Sequence, residues 1–211
     1  MNPRRAAPRR GRPRDEDRAA RRDALLEAAM RQFLAHGYGA TTIEEVAATA
    51  RVAKRTIYTT IGDKSDLFVA VVRRLGDRAV DPTTADGRDA ADSLHAFGVR
   101  LVRLMLSDEA VGLHRLVIAE ATNFPDLAAR LYTNGAQRYI GVLRDLLAEL
   151  PDDQLLLPAR ATPDEHGRQA EALFTQLLGE WHRRRLFGLD PAPGDQEIDA
   201  HVSRTVRRFV R

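Results

Sequence analysis

A chain of 211 residues has room for one medium domain or for a small head fused to a larger body, and either would bury a core. Apolar residues at 44% and charged residues at 30% describe a globular chain; with no cysteine it has no disulfide framework, no thiol nucleophile and no thiolate zinc site, which fits a reducing cytoplasm. The net charge of +3 is unevenly spread: residues 1–64 carry 12 Arg and two Lys against eight acids, a net +6, whereas the remainder carries 19 Arg against 22 acids, a net −3.

The basic excess begins at once. Residues 1–14 hold six arginines, three prolines and no acid, too polar and too proline-broken to pack as a helix, and they read as a disordered basic arm reaching to about residue 17. The arm has neither the apolar stretch of a signal peptide nor the serine-rich amphipathy of a transit peptide. From about Arg18 to His36, the residues Leu26, Ala29, Met30, Phe33 and Leu34 recur three and four apart, one face of an amphipathic helix that Gly37 and Gly39 stop. Thr42 followed by Glu45 is a capping-box pattern that opens a short helix through Val46 to about Ala48. After a break at 49–52 comes a helix over 53–60 with Ile57 inward, ended by Gly62. Asp63 caps a fourth helix from Lys64 to about Val80, striped by Leu67, Val71 and Leu75.

Residues 81–89 form a polar loop, after which the helical period resumes with Phe97, Leu101, Leu104 and Met105, then with Leu113, Leu116, Val117 and Glu120. Pro125 marks a restart, and Ala128, Tyr132, Gly135, Tyr139, Val142, Leu146 and Leu150 make one long stripe. Beyond a second polar loop to Pro163, Ala170 to Trp181 and Ile198 to Phe209 supply the last two helices. No alternating strand and no repeat interrupts the pattern, which predicts an all-α fold of about nine helices. The expected division is an arm at 1–17, a helical head at 18–80 and a body at 81–211.

An enzyme needs a site, and its usual signatures are missing. The chain has no GxGxxG, no HExxH and no phosphate loop, since Gly62-Asp63-Lys64-Ser65 lacks the upstream glycine. His36, His95, His114, His166, His182 and His201 include no pair at i,i+4 spacing. No catalytic residue, metal or cofactor is expected, and no apolar run approaches the roughly 18 residues of a membrane span. The strongest pattern is 42–61: two short helices with a tight break, the second bearing Lys54, Arg55, Thr56, Tyr58 and Thr59. That arrangement fits a helix-turn-helix whose second helix enters the major groove; by spacing alone a plain helical hairpin with solvated charges fits as well.

The residues Ala40-Thr41-Thr42-Ile43-Glu44-Glu45-Val46-Ala47, Val52-Ala53-Lys54-Arg55-Thr56-Ile57-Tyr58 and Gly62-Asp63-Lys64-Ser65-Asp66-Leu67-Phe68 resemble the DNA-binding head of the TetR/AcrR family of bacterial transcriptional regulators. Arg115-Leu116-Val117-Ile118-Ala119-Glu120-Ala121 with Phe124-Pro125-Asp126-Leu127 is similar to the C-terminal domain of the AefR-like subgroup. The resemblance implies that Thr42 touches phosphate, that Lys54, Arg55 and Thr56 face bases, that Tyr58 and Thr59 meet the backbone, and that Lys64 holds a further phosphate. Arg51 stands where the family has its turn glycine, so the turn is reshaped or carries an extra cation; Ile61 replaces the usual aromatic. Arg12 and Arg14 lie in or beside an Arg10-Gly11-Arg12-Pro13 hook suited to an A·T-rich minor groove, or belong to a solubilising tail.

For the body the resemblance implies an effector pocket and a dimer contact. Phe97, Leu101, Met105, Leu116, Phe124, Leu131 and Tyr132 are pocket candidates or ordinary core. His114, Arg115 and Glu120 would orient a ligand, or Arg115 and Glu120 form an internal ion pair. Phe174, Leu177, Leu178, Trp181, Val202, Val206 and Phe209 on the last two helices are expected at the dimer contact. The implied function is a homodimeric cytoplasmic repressor, nucleoid-associated when bound to a palindromic operator of double-stranded DNA and released by a small hydrophobic effector. The rivals are an architectural DNA-binding protein without effector and a small helical enzyme.

Overall fold

The computed structural model describes residues 15–80, 89–151, 153–156 and 163–211. Among these described residues ten helices follow in order: α1 (Asp15–Ala40), α2 (Ile43–Ala50), α3 (Lys54–Thr60), α4 (Lys64–Asp77), α5 (Ala90–Met105), α6 (Asp108–Glu120), α7 (Pro125–Asn134), α8 (Ala136–Ala148), α9 (Pro163–Phe187) and α10 (Asp195–Val206). Among the described residues there is no strand, only an isolated bridge of Leu155 with Val210, so the fold is all-α. The 128–150 stripe is two helices, because the backbone breaks at Gly135 with φ −108° and ψ −93°.

Local chemistry places the first four helices. The Thr42 hydroxyl accepts from the Glu45 amide while the Glu45 carboxylate accepts from the Thr42 amide, the reciprocal box that starts α2. Asp63 and Asp66 build the same box at the start of α4. Gly37 takes φ 83° and ψ 166° inside α1, a kink after which the Gly39 amide donates to Glu120 of the body. Thr41 steadies that corner, its hydroxyl donating to the Gly37 carbonyl at 2.7 Å.

The core is continuous through head and body. Leu26, Phe33, Val46, Ile57, Leu67 and Phe68 close the head, each buried to within a few per cent. A fully buried side chain of this size contributes about 1.5–3 kcal/mol. Phe33, Tyr38 and Phe68 pack ring against ring at 5.6–5.8 Å, and Phe124 of the body meets Tyr38 edge-on at 5.0 Å. Further along, α5 packs on α10 and α8 on α9. Leu177, Leu178, Val202, Val206 and Phe209 are buried within this one chain, at 8% exposure or less, which corrects the expectation that their side chains form the dimer contact. Of that group Phe174 and Trp181 keep partial exposure, and Trp181 stacks on His201 at 4.4 Å.

Candidate nucleic-acid interface

The turn between α2 and α3 is held by Arg51, whose φ of 55° and ψ of 41° lie in the left-handed region; its amide and that of Val52 donate back to Ala48 and Ala47. This is the position at which the resemblance placed a turn glycine in the family, and here arginine itself takes a left-handed conformation. The turn sets α3 across α2 with Ile57 wholly buried, and that register turns Lys54, Arg55, Thr56, Tyr58 and Thr59 to solvent. Tyr58 is 49% exposed, an aromatic surface on a helix that buries only Ile57.

Beside the exposed face of α3 stands an acid that sequence reasoning missed. Glu44 on α2 pairs with Lys54 and is thereby held below the usual carboxylate range, while the same contact raises Lys54. The Lys54 ammonium lies 5.6 Å from the Tyr58 ring centroid. Both side chains of the ion pair are about half exposed, so water competes for Lys54 and the pair opens at small cost. Two expected hydroxyl donors are engaged: Thr42 donates to Glu45 at 2.8 Å, and Thr59 to the Arg55 carbonyl at 2.9 Å. Each must rotate before its proton reaches a phosphate.

Lys64 is a correction. Its ammonium donates to the carbonyls of Tyr38 at 2.8 Å, Thr41 at 3.0 Å and Gly39 at 3.1 Å, and it covers the Tyr38 ring at 4.5 Å. All three protons are spent on the end of α1, and burial lowers its pKa. It locks α4 to α1 rather than reaching out to phosphate. Arg12 and Arg14 lie outside the described residues.

In the body, α4 to α8 enclose a cavity of about 30 Å³, with Val72, Leu75, Met105, His114, Leu131 and Tyr139 among its walls. Of the expected pocket and ligand residues, Met105, His114 and Leu131 reach it. Phe97 and Leu101 are closed in the core at 2% and 0% exposure, Phe124 packs on Tyr38, and Tyr132 is 55% exposed on α7. Arg115 donates to the carbonyls of Leu186 and Arg185, where it caps the end of α9. Glu120 accepts from the Gly39 amide at 3.0 Å, and Arg115 is bonded to carbonyls of α9 instead of to Glu120. His114 Nδ1 and His182 Nε2 stand 3.2 Å apart; burial lowers His114 to about 4 and lowers His182 as well, so both rings are neutral near pH 7. Among the described residues no group of three or more His, Asp or Glu could hold a metal, and no helix is long and apolar enough to cross a membrane.

A capped helix-turn-helix with an exposed second helix, welded to a helical body, defines the class of helix-turn-helix transcriptional regulators. The chain belongs to the TetR family: residues 25–71 match the bacterial regulatory proteins of the tetR family, and residues 92–211 match the AefR-like transcriptional repressor C-terminal domain. It is 35% identical over 95 residues to the HTH-type transcriptional repressor SCO4008 of Streptomyces coelicolor, covering 42% of this chain and 50% of that protein. It is 27% identical over 122 residues to the HTH-type transcriptional regulator AlkX of Mycobacterium tuberculosis, 58% of each. The chain spans about half the length of the curated relatives it matches. A TetR-family protein from Mesorhizobium loti superposes with a TM-score of 0.70 at 25% identity, over 90% of this chain and 95% of that one. The flavonoid-responsive regulator FrrA shares the fold, with a TM-score of 0.64 at 23% identity, over 91% and 98% of the two chains. The family and these relatives are transcriptional regulators, not enzymes.

Proposed function

We propose that this chain is a homodimeric repressor that grips a roughly palindromic operator with α3 and lets go when a small apolar molecule enters the body, working in the cytoplasm on the nucleoid. The observation that carries the reading is the exposed face of α3, where Lys54, Arg55, Thr56 and Tyr58 project from a helix anchored by Ile57. Lys54, Arg55 and Thr56 read base edges; Tyr58, Thr59 and Thr42 meet the phosphate backbone. Arg12 and Arg14 follow the adjacent minor groove. Two such heads fit successive major grooves when their reading helices stand about 34–36 Å apart.

The effector reading rests on α4. Val72 and Leu75 wall the body cavity, and the same helix is locked to α1 through Lys64, so a molecule that swells the cavity moves the head. A cavity of about 30 Å³ holds no more than one water, so binding requires α4 to separate from α8. The walls bear no charged group: His114 is neutral, Tyr139 is pushed up to about 12 by burial, and Arg115 and Glu120 are engaged elsewhere. A carboxylate or ammonium would enter without a partner, at a cost of several kcal/mol. The effector is therefore an uncharged, largely apolar molecule with a group that bonds His114 or Tyr139. Phe187, Leu189 and Ile118, exposed at 74%, 61% and 66%, supply apolar surface for the dimer beside the end of α9, where Arg115 ties α6 to that helix.

The test is a titration of matched ligands, such as an alkylphenol and the corresponding benzoate, with and without operator DNA. The neutral member should bind, and operator should weaken its binding by the same factor by which it weakens DNA binding. Equal ligand affinity with and without DNA would leave the body a structural part only.

A further inference from the structure

Glu44 and Lys54 are ten residues apart in the chain and sit on different helices of the motif, yet they meet. The Lys54 ammonium, at the first position of α3, donates to the carboxylate of Glu44, the second residue of α2. One turn further along α3, the Tyr58 ring centroid lies 5.6 Å from the same ammonium. Lys54 is therefore held from two sides, by an anion and by an aromatic face. Glu44 is not required to start α2, because Thr42 and Glu45 complete the reciprocal box between themselves. On a surface that approaches DNA, a carboxylate repels phosphate, so this acid opposes the general affinity of the head.

We propose that Glu44 is a specificity-determining residue: it cancels the charge of Lys54 while leaving that ammonium's other hydrogens for base edges, so that the head separates its operator from DNA at large. The proposal rests on the reading of the chain as a DNA-binding regulator. An ammonium has three hydrogens to donate, and Glu44 accepts one of them. Attraction to phosphate follows net charge and is the same for every sequence. A bond to guanine O6 or N7 instead needs a donor in the right place, and it carries sequence information. The ion pair as a unit is nearly neutral, so a phosphate offers it little. Its two other hydrogens, steadied by the carboxylate and by Tyr58, remain available to a guanine edge. Without Glu44 the same lysine would swing on its flexible stem to the nearest phosphate of any duplex.

The experiment measures binding to an operator duplex and to an unrelated duplex, over a range of salt concentrations, for the wild-type protein, Glu44→Gln, Lys54→Gln and the double variant. Glu44→Gln should tighten binding to the unrelated duplex by up to about fivefold per protomer, the most that an exposed ion pair is worth. Its salt slope should steepen by about 0.9 for each phosphate the freed lysine takes. Operator binding should tighten less, so the ratio of operator to unrelated binding falls. Sequencing of selected duplexes should show base preference relaxed where Lys54→Gln also relaxes it, and unchanged elsewhere. In the Lys54→Gln background, Glu44→Gln should leave the ratio alone, since no ammonium remains to be directed. A ratio unchanged by Glu44→Gln with Lys54 present would mark an acid that repels all DNA alike. Weaker binding to both duplexes would mark a residue that only supports the fold, and an equal fall of the ratio without Lys54 would mark one that acts by another route. Each of these three results would overturn the proposal while leaving the regulator reading intact. A wild-type protein with no preferred sequence would overturn the regulator reading, and this proposal with it.

Discussion

Arg51 sits in left-handed backbone that costs a residue with a Cβ about 1–2 kcal/mol, and the turn into α3 cannot form without that conformation. Replacing Arg51 by glycine should therefore stabilise the fold by about 0.5–1 kcal/mol, part of the gain being offset by the freer unfolded chain. Urea unfolding reads this as a raised midpoint; a lowered midpoint would mean that the arginine side chain itself secures the turn. A second residue-scale prediction concerns His114 and His182, which burial holds neutral, with His114 lowered to about 4. Below about pH 6.5 the unfolded chain takes up protons that the folded chain refuses, so stability present at pH 7 is lost on acidification toward pH 4. The slope is at most about 1.4 kcal/mol per pH unit for each histidine. The His114→Gln variant should show a shallower loss between pH 6.5 and 5 in denaturant titrations, and a loss as steep as wild type would contradict the account. What was legible at this scale was local. Thr42 and Asp63 announced their caps because the partner lies three residues away, whereas the carbonyls that occupy Lys64 lie 23 to 26 residues earlier and those that occupy Arg115 some 70 later.

Helix faces decide the next scale, above all the contact of α4 with α8. A Cβ added at Gly76 would lie 2.4 Å from the Tyr139 hydroxyl, whose ring is buried at 4% exposure, so Gly76→Ala must push α8 away from α4. The cost should be about 1–3 kcal/mol of stability. Because the displacement is the one an effector would produce, operator affinity should fall further than for a surface change of equal stability cost; gel-shift titration with both variants checks this. Glu120 is the second strut between body and head, through its bond to the Gly39 amide. Glu120→Ala should leave the affinity for the operator within a few-fold of wild type and reduce the drop in affinity that ligand causes, measured as the ratio of DNA dissociation constants with and without ligand. Periodicity found most of these helices but not their partners. The stripe from Ala128 to Leu150 stays in phase across Gly135, so nothing in its spacing marked the break. Likewise, an apolar stripe at Leu177 or Val202 reads the same whether it meets its own core or a twin subunit; α5 and α8 cover it here, a fact fixed only by long-range packing.

At the scale of the whole molecule, charge and apolar surface divide the work. The basic excess of the first 64 residues lies in the arm and head, while the body, residues 81–211, carries 16 Arg against 20 acids, a net −4, and leaves large apolar side chains exposed near the end of α9. If Phe187 and Leu189 belong to the proposed dimer contact, the Phe187→Asp/Leu189→Asp double variant should sediment as a monomer at concentrations where the wild type is dimeric, and should lose operator affinity because one head grips one half-site. A dimer that survives both changes would move the contact to the outward faces of α9 and α10. The all-α class and the two-part plan were readable from periodicity and charge because both are sums over many residues; the small size of the cavity was not, since it depends on how five helices, α4 to α8, meet. The central claim is that α3 reads DNA sequence. Fragments of duplex DNA retained by the purified protein at moderate salt, once sequenced, should converge on one roughly palindromic site whose half-sites lie about one helical turn or a multiple apart, and Lys54→Ala or Arg55→Ala should weaken binding to it by about 1–3 kcal/mol. Retained fragments with no common sequence, or a site bound equally well by both variants, would contradict it.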